Sequence, residues 1–243
     1  MAIKNHLPNA LTCLNLLCGC VALSLILAYT PQTATSGWEP LLPAMALIGI
    51  AAIADFFDGL VARALRVSSP IGKDLDSLAD MVSFGVVPGA ILFKLLQHAL
   101  PAAGLPISLA YLAFTVSIFS ALRLAKFNND TRQSDSFIGL PTPACTLLVA
   151  SLPLILVYDR FGLTPIVLNP WVLLVLSFVL AGLLVAEIPL FALKFKNFSW
   201  QDNSLRFVFL IAAVLLLALL QAAAVPLIIL LYVALSVLRP SYG

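Results

Sequence analysis

The chain has 243 residues, 62% of them hydrophobic and 10% charged, with a mean hydropathy of +1.08. A soluble domain carries about 25% charged residues, so a chain that meets water over most of its surface is excluded, and no basic stripe is long enough to bind nucleic acid. The formal net charge of +2 says little by its sum.

Apolar runs close to the roughly 20 residues that cross a bilayer as a helix recur from end to end, and unpaired backbone is barred from lipid. The expected fold class is therefore an all-α polytopic membrane protein. Helices are predicted at 9–30, 40–64, 75–98, 105–127, 141–158, 167–193, 205–220 and 223–238, with joints at Pro31–Pro40, Pro101–Gly104, Ser136–Pro143, Gly162–Pro165 and Asn197–Asn203. The first run lacks a small-residue processing site and reads as a span, not a cleaved leader. The last apolar block divides at Gln221 or runs on as one tilted helix.

Charge favours the division. With eight spans, Lys4, Arg63, Arg66, Lys73, Arg123, Lys126, Arg132, Lys194, Lys196, Arg206 and Arg239 share one side, while Arg160 alone falls on the other and Lys94 lies late in the third span. Positive residues mark the cytoplasmic side, so both termini are expected there. Cys13, Cys18, Cys20 and Cys145 lie in or beside apolar helices and read as free thiols.

Residues 51–85 concentrate the acids: Asp55, Asp58, Asp74, Asp76 and Asp80. Asp55 and Asp58 are three apart and Asp76 and Asp80 four apart, so each pair shares a helix face. The turn between the two helices would bring these faces together near the membrane boundary. Close carboxylates repel, and a buried ion is costly unless paired or metal-bound. Hard divalent cations prefer oxygen ligands, and no His or Cys stands nearby to suit zinc. Mg2+ or Mn2+ is the expected cofactor, and four carboxylates accommodate two ions. Interface solubilisers or ion-path residues are the rival reading. Asp74 points elsewhere and reads as a helix-start charge. Gly59 and Gly72 leave room for a phosphate or serve helix packing; Arg63 neutralises a diphosphate or flanks the membrane, and Arg66 reads as a flank charge.

Asp55-x-x-Asp58-Gly59-x-x-Ala62-Arg63, eight residues, then Gly72-x-x-x-Asp76-x-x-x-Asp80 resembles the full signature of the CDP-alcohol phosphatidyltransferases. Pro8-Asn9-x-Leu11-Thr12-x-x-Asn15, Arg123-Leu124-Ala125-Lys126-Phe127-Asn128 and Phe137-Ile138-Gly139-Leu140-Pro141-Thr142-Pro143-Ala144 are similar to the membrane-embedded branch that acts on serine. The likeness is clear through about residue 190, and Lys126 stands where that branch often has Arg, without the planar fork.

The resemblance implies a six-helix catalytic core over 1–195, followed by a helical pair over 196–243, in a homodimer whose cavity opens to the cytoplasm of a prokaryotic inner membrane. Asp55, Asp58 and Asp76 would hold a metal at the diphosphate of CDP-diacylglycerol. Asp76 and Asp80 would face a second, with Asp80 as base toward L-serine among membrane phospholipids. Asn9, Thr12 and Asn15 line a nucleotide pocket or bond between helices. Arg123, Lys126 and Asn128 meet the acceptor's carboxylate or a lipid phosphate, or anchor the membrane boundary. Gly139, Pro141 and Thr142 shape the acceptor pocket or start the fifth helix. Glu187, placed within the sixth span, reads as a pairing or dimer-contact charge or as a residue at the cytoplasmic interface. Glycerol 3-phosphate or an inositol phosphate is the alternative acceptor; either would demand a denser basic pocket than these few cations provide. A transporter fits less well, since no inverted repeat is evident.

Overall fold

Helix α1 (Leu7–Ala28) carries Pro8 in its first turn, where the missing N–H falls among helix donors that have no partner anyway. It packs along α2 (Leu42–Leu65), which is entered through a 3-10 turn at Glu39–Leu41. The computed structural model describes residues 6–30, 37–67, 69–129, 136–191 and 199–238. Lys4, Arg132, Lys194, Lys196 and Arg239, and the domain boundary expected at 195, lie outside the described residues.

The third span begins earlier and runs longer than the sequence suggests. Ser69 caps its N-terminus by accepting from the Gly72 N–H at 2.9 Å, and Pro70 takes the first helical position. From there α3 (Pro70–Asp80), a π-helical segment (Met81–Val86) and α4 (Val87–Ala102) run continuously. A π turn misaligns backbone carbonyls, and neighbouring hydroxyls take two of them. Thr146 donates to the Phe84 carbonyl at 3.0 Å and Ser117 to that of Gly85 at 2.8 Å. The Ser83 hydroxyl donates in turn to the Asn15 carbonyl of α1 at 3.0 Å.

Helix α4 is the centre of the bundle, buried on nearly every face from Val87 to Leu100, as an apolar all-round sequence requires. Around it stand α5 (Thr115–Asn129, entered through a 3-10 stretch at Ile107–Phe114), α6 (Thr142–Tyr158) and α8 (Pro170–Val185). The single turn α7 (Thr164–Val167) precedes α8, whose cap Asn169 accepts from the N–H groups of Trp171 and Val172. Large apolar side chains such as Leu17, Ile53, Val175 and Val214 remain exposed on the outer faces.

The sixth span is shorter than expected. Helix α8 stops at Val185 instead of 193, because Ala186 turns extended (ψ 139°) and Pro189 removes a helix donor. Residues Pro189–Phe191 form β2, antiparallel to β1 (Ser136–Ile138), with Ser136 opposite Phe191 and Ile138 opposite Pro189. Glu187 is thus exposed on a connector, not set within a span.

The final block divides as the charge pattern suggests. Helix α9 (Trp200–Leu220) ends at Gln221, which has φ 52°, and α10 (Ala224–Leu238) returns after one 3-10 turn. The Phe209 and Tyr232 rings lie 5.7 Å apart on opposite sides of that break, so the two helices form an antiparallel hairpin. Eight apolar helical segments are therefore present among the described residues, α7 aside.

Gly19 and Gly49 make opposite predictions. A Cβ at Gly19 would overlap the Ser83 hydroxyl and crowd its Cα, whereas one at Gly49 meets nothing within 4 Å. Gly19→Ala should destabilise by roughly 1–3 kcal/mol, the usual cost of overpacking. Gly49→Ala should be neutral or stabilise by up to about 1 kcal/mol. Thermal unfolding in detergent distinguishes them, and equal midpoints for the two variants would refute this account of the α1 contact.

Candidate active site

Three helix ends build one concave site. On α2, Asp55, Asp58 and Ala62 recur on one stripe at steps of three and four with Gly59 beside them, and Arg66 follows as the helix's C-terminal cap. The antiparallel return through Val67 and Ser69 sets α3 opposite, with Gly72, Lys73, Asp76 and Asp80. The start of α1 supplies Pro8, Asn9, Thr12 and Asn15. Between them lies a cavity of about 450 Å³ whose wall includes Asn9, Thr12, Asp58, Gly59, Ala62, Gly72 and Asp76.

The four carboxylates are not equivalent. One oxygen from each of Asp55, Asp76 and Asp80 lies within 4.8 Å of the other two. Asp58 is buried beside this group and takes a 2.7 Å hydrogen bond from the Thr12 hydroxyl. Asn15 donates its amide to Asp80 at 3.2 Å. Neutral donors alone do not balance several carboxylates in an apolar bundle. Three convergent oxygen donors, without nitrogen or sulfur among them, fit a hard divalent cation. Asp76 belongs both to this group and to the cavity wall, so it joins the two.

The glycines act differently. Around Gly59 a Cβ would make only an ordinary 3.5 Å contact with Arg63, so its bare backbone widens the cavity. At Gly72 a Cβ would press on Asn9 Oδ1 and Ser69 Oγ at 3.1 and 3.0 Å, so this glycine lets α1 approach α3.

Other expected positions stand apart from the cavity wall. Arg63 and Lys126 are exposed. Asn128 ties α5 to α3, its amide donating to Ser77 Oγ at 2.7 Å and its carbonyl accepting from Lys73 Nζ at 3.0 Å. Arg123 is buried within electrostatic range of Asp80, Cys145 and Tyr232, and its Nε has no hydrogen-bond partner. Gly139 is buried with φ 76°, where a Cβ would strike the carbonyls of Leu184 and Ala186. Thr142 is buried with an unpartnered hydroxyl at the start of α6, next to Pro141. Asp74 is exposed.

Arg66, Val67, Ser69 and Lys73 line the cavity although sequence reasoning gives none of them a place there. A signal for Arg66 exists. It lies four residues after Ala62 and seven after Gly59, whereas Arg63 is five after Asp58 and leaves that stripe. Arg66 also ends α2 in the left-handed conformation (φ 54°), which no spacing argument reveals.

Comparison with known proteins decides the family. The CDP-alcohol phosphatidyltransferase family matches residues 5–188. The chain belongs to that family. A relative from Bacillus subtilis, named CDP-diacylglycerol–serine O-phosphatidyltransferase, is 32% identical over 165 residues, covering 66% of this chain and 85% of the relative. Proteins of the same name from Helicobacter pylori and Mycobacterium leprae are each 35% identical, covering 58% and 60% of this chain. The match spans about half of those two proteins, 54% and 46%. As a CDP-alcohol phosphatidyltransferase with five helical stretches, among the described residues, long and apolar enough to cross a bilayer, the chain is an integral membrane protein. The three convergent carboxylates lie within the family match, and the α9–α10 hairpin lies beyond it.

Mn2+ binding, followed by the loss of its free electron paramagnetic resonance signal in detergent micelles, tests the cluster. Asp76→Asn should weaken binding at least about tenfold, the scale of losing a ligand or its support. Asp74→Asn, at an exposed carboxylate outside the cluster, should leave it unchanged. Equal behaviour of the two variants would refute the site.

Proposed function

We propose that the chain transfers the phosphatidyl group of CDP-diacylglycerol to the hydroxyl of L-serine, giving phosphatidylserine and CMP. The observation that carries this reading is the convergence of Asp55, Asp76 and Asp80 beside a cavity, with the buried Arg123 close to Asp80. The names of the relatives supply the donor and acceptor.

In this reading the CDP diphosphate enters the cavity, where Arg66 and Lys73 offset its charge and the bare backbone of Gly59 admits it. Asn9 and Thr12 meet the nucleotide. Mg2+ or Mn2+, one ion or two, held by Asp55, Asp58, Asp76 and Asp80, would neutralise phosphoryl oxygens and stabilise the leaving group. Asp80 takes the proton of the serine hydroxyl as its oxygen bonds to the β-phosphorus, and the bond from that phosphorus to the CMP oxygen breaks. The Asn15 amide donates to Asp80 Oδ1 and holds the carboxylate's orientation.

The acceptor's carboxylate goes to Arg123. Ser120 precedes Arg123 by three residues on α5, and Thr142 precedes Cys145 by three on α6, with Cys145 in range of Arg123. The buried hydroxyls of Ser120 and Thr142 have no hydrogen-bond partner. This polar end suits a zwitterion's amino and carboxyl groups. Among the described residues the buried charged side chains are Asp58 and Arg123; a single buried guanidinium matches one carboxylate better than a dianionic phosphate.

Residues 1–195 form the catalytic core and 196–243 an added pair. The cavity and both termini face the cytoplasm of a prokaryotic inner membrane, on the positive-inside argument. The homodimer rests on family resemblance alone.

CMP release by purified protein in lipid–detergent micelles, with CDP-diacylglycerol and one acceptor at a time, tests the reaction. Release with L-serine and formation of phosphatidylserine are expected; release only with glycerol 3-phosphate or an inositol phosphate would overturn the acceptor. Asp80→Asn should lower turnover by about 10²–10⁴-fold, the usual range for a positioned base, while CDP-lipid binding is retained. An equal loss of binding would make Asp80 a metal ligand alone.

A further inference from the structure

The α9–α10 hairpin lies C-terminal to the family match, and most of its large apolar side chains are exposed on its outer faces. One side chain does more. Tyr232 of α10 is buried, and its hydroxyl donates to the Phe191 carbonyl at 2.9 Å. Its ring meets Phe191 edge-on at 4.9 Å and 75°, and Phe209 of α9 closes the aromatic triangle at 5.7 Å from each. The same tyrosine lies in electrostatic range of Arg123.

Phe191 is the far end of a strap. Strand β2 pairs with β1, and the pairing continues as Gly139 N–H to the Ile188 carbonyl at 3.0 Å and Leu140 N–H to the Leu183 carbonyl at 2.9 Å. Those bonds fix the backbone that delivers Pro141 and Thr142 to the start of α6. The left-handed Gly139 lies flat against the Leu184 and Ala186 carbonyls, which a side chain there would strike. A short two-stranded ladder is marginal by itself, so an anchor at its end has leverage over the loop it carries.

We propose that Tyr232 is a positioning residue for acceptor binding: through Phe191 and the β1–β2 ladder it holds the Gly139–Thr142 loop against the Arg123 compartment, tuning affinity for a small zwitterionic alcohol. Tyr232 touches neither the acid cluster nor the nucleotide cavity wall, and it performs no chemical step. This rests on the reading that the acceptor sits between Arg123 and Thr142.

The test compares wild type, Tyr232→Phe and Ser236→Ala in full-length protein. Phenylalanine keeps the aromatic triangle and removes the hydroxyl alone. Ser236, whose hydroxyl bonds back to the Tyr232 carbonyl at 2.8 Å within α10, controls for loss of a buried hydroxyl on the same helix. In Tyr232→Phe the KM for L-serine should rise about three- to tenfold, the scale of one lost hydrogen bond. The KM for CDP-diacylglycerol and Mn2+ affinity should stay within about twofold of wild type, as should all parameters of Ser236→Ala. Amide exchange at Gly139 and Leu140 should quicken in Tyr232→Phe alone. An unchanged serine KM, or parallel changes in both KM values, overturns the positioning role. If wild type uses a different acceptor, the reading of serine fails; faster exchange at Gly139 and Leu140 then still supports the strap, and unchanged exchange overturns it.

Discussion

Several carboxylates in an apolar helix bundle have to be compensated where they stand, and that constraint shapes much of the surrounding structure. Ionised groups in a medium of low polarity repel one another strongly and lack water to solvate them. The protein meets the demand partly with its own donors: Thr12 on Asp58, Asn15 on Asp80, and the guanidinium of Arg123 near Asp80. These leave a net acidic group with convergent oxygens, the arrangement a divalent cation completes. Stability and chemistry therefore draw on the same residues, and α1, whose polar side chains hold two of the acids, belongs to the site as much as α2 and α3 do.

Close helix approach is the second requirement, because the donors on α1 reach the acids only if the backbones lie near one another. Gly19 removes the side chain that would collide with Ser83, and Gly72 does the same toward Asn9. Small residues at interhelical contacts are the usual means of dense packing in lipid, where no hydrophobic force drives helices together. Their placement beside the acids couples the geometry of the site to the tightness of the bundle.

Legibility in the sequence divides along this line. The acids on α2 and α3 are readable from steps of three and four, a local property of any helix, and so are the number and approximate extent of the apolar segments. The division at Gln221 is readable from charge bias, although the residue's unusual backbone is not. Arg66 is legible by the same periodicity, yet a cation at a helix end reads first as a membrane-flank charge. The strand pairing of 136–138 with 189–191 is not legible. It joins segments about fifty residues apart, each too short to show an alternating pattern, and an apolar run into Leu190 and Phe191 looks like more helix. The burial of Arg123 is equally hidden, since a cation at a predicted helix end reads as a boundary anchor until α6 and α10 are seen to cover it.

The π segment explains how one span can serve two surroundings. Up to Asp80 the helix must turn its acids toward α1 and α2, whereas from Val87 onward it must bury nearly every face at the centre of the bundle. Each residue added to a helical turn rotates the remainder of the helix by about 100°, so a wide turn resets the phase between the two halves. The carbonyls it misaligns would be costly within the bundle if left bare, but Ser117 and Thr146 arrive from α5 and α6 to take them. These are the helices that carry Arg123 and Thr142. The hydrogen bonds that make the irregular turn tolerable thus also fix the distance between the acid-bearing half of the site and its basic half, and the irregularity becomes the joint that holds the two halves in register.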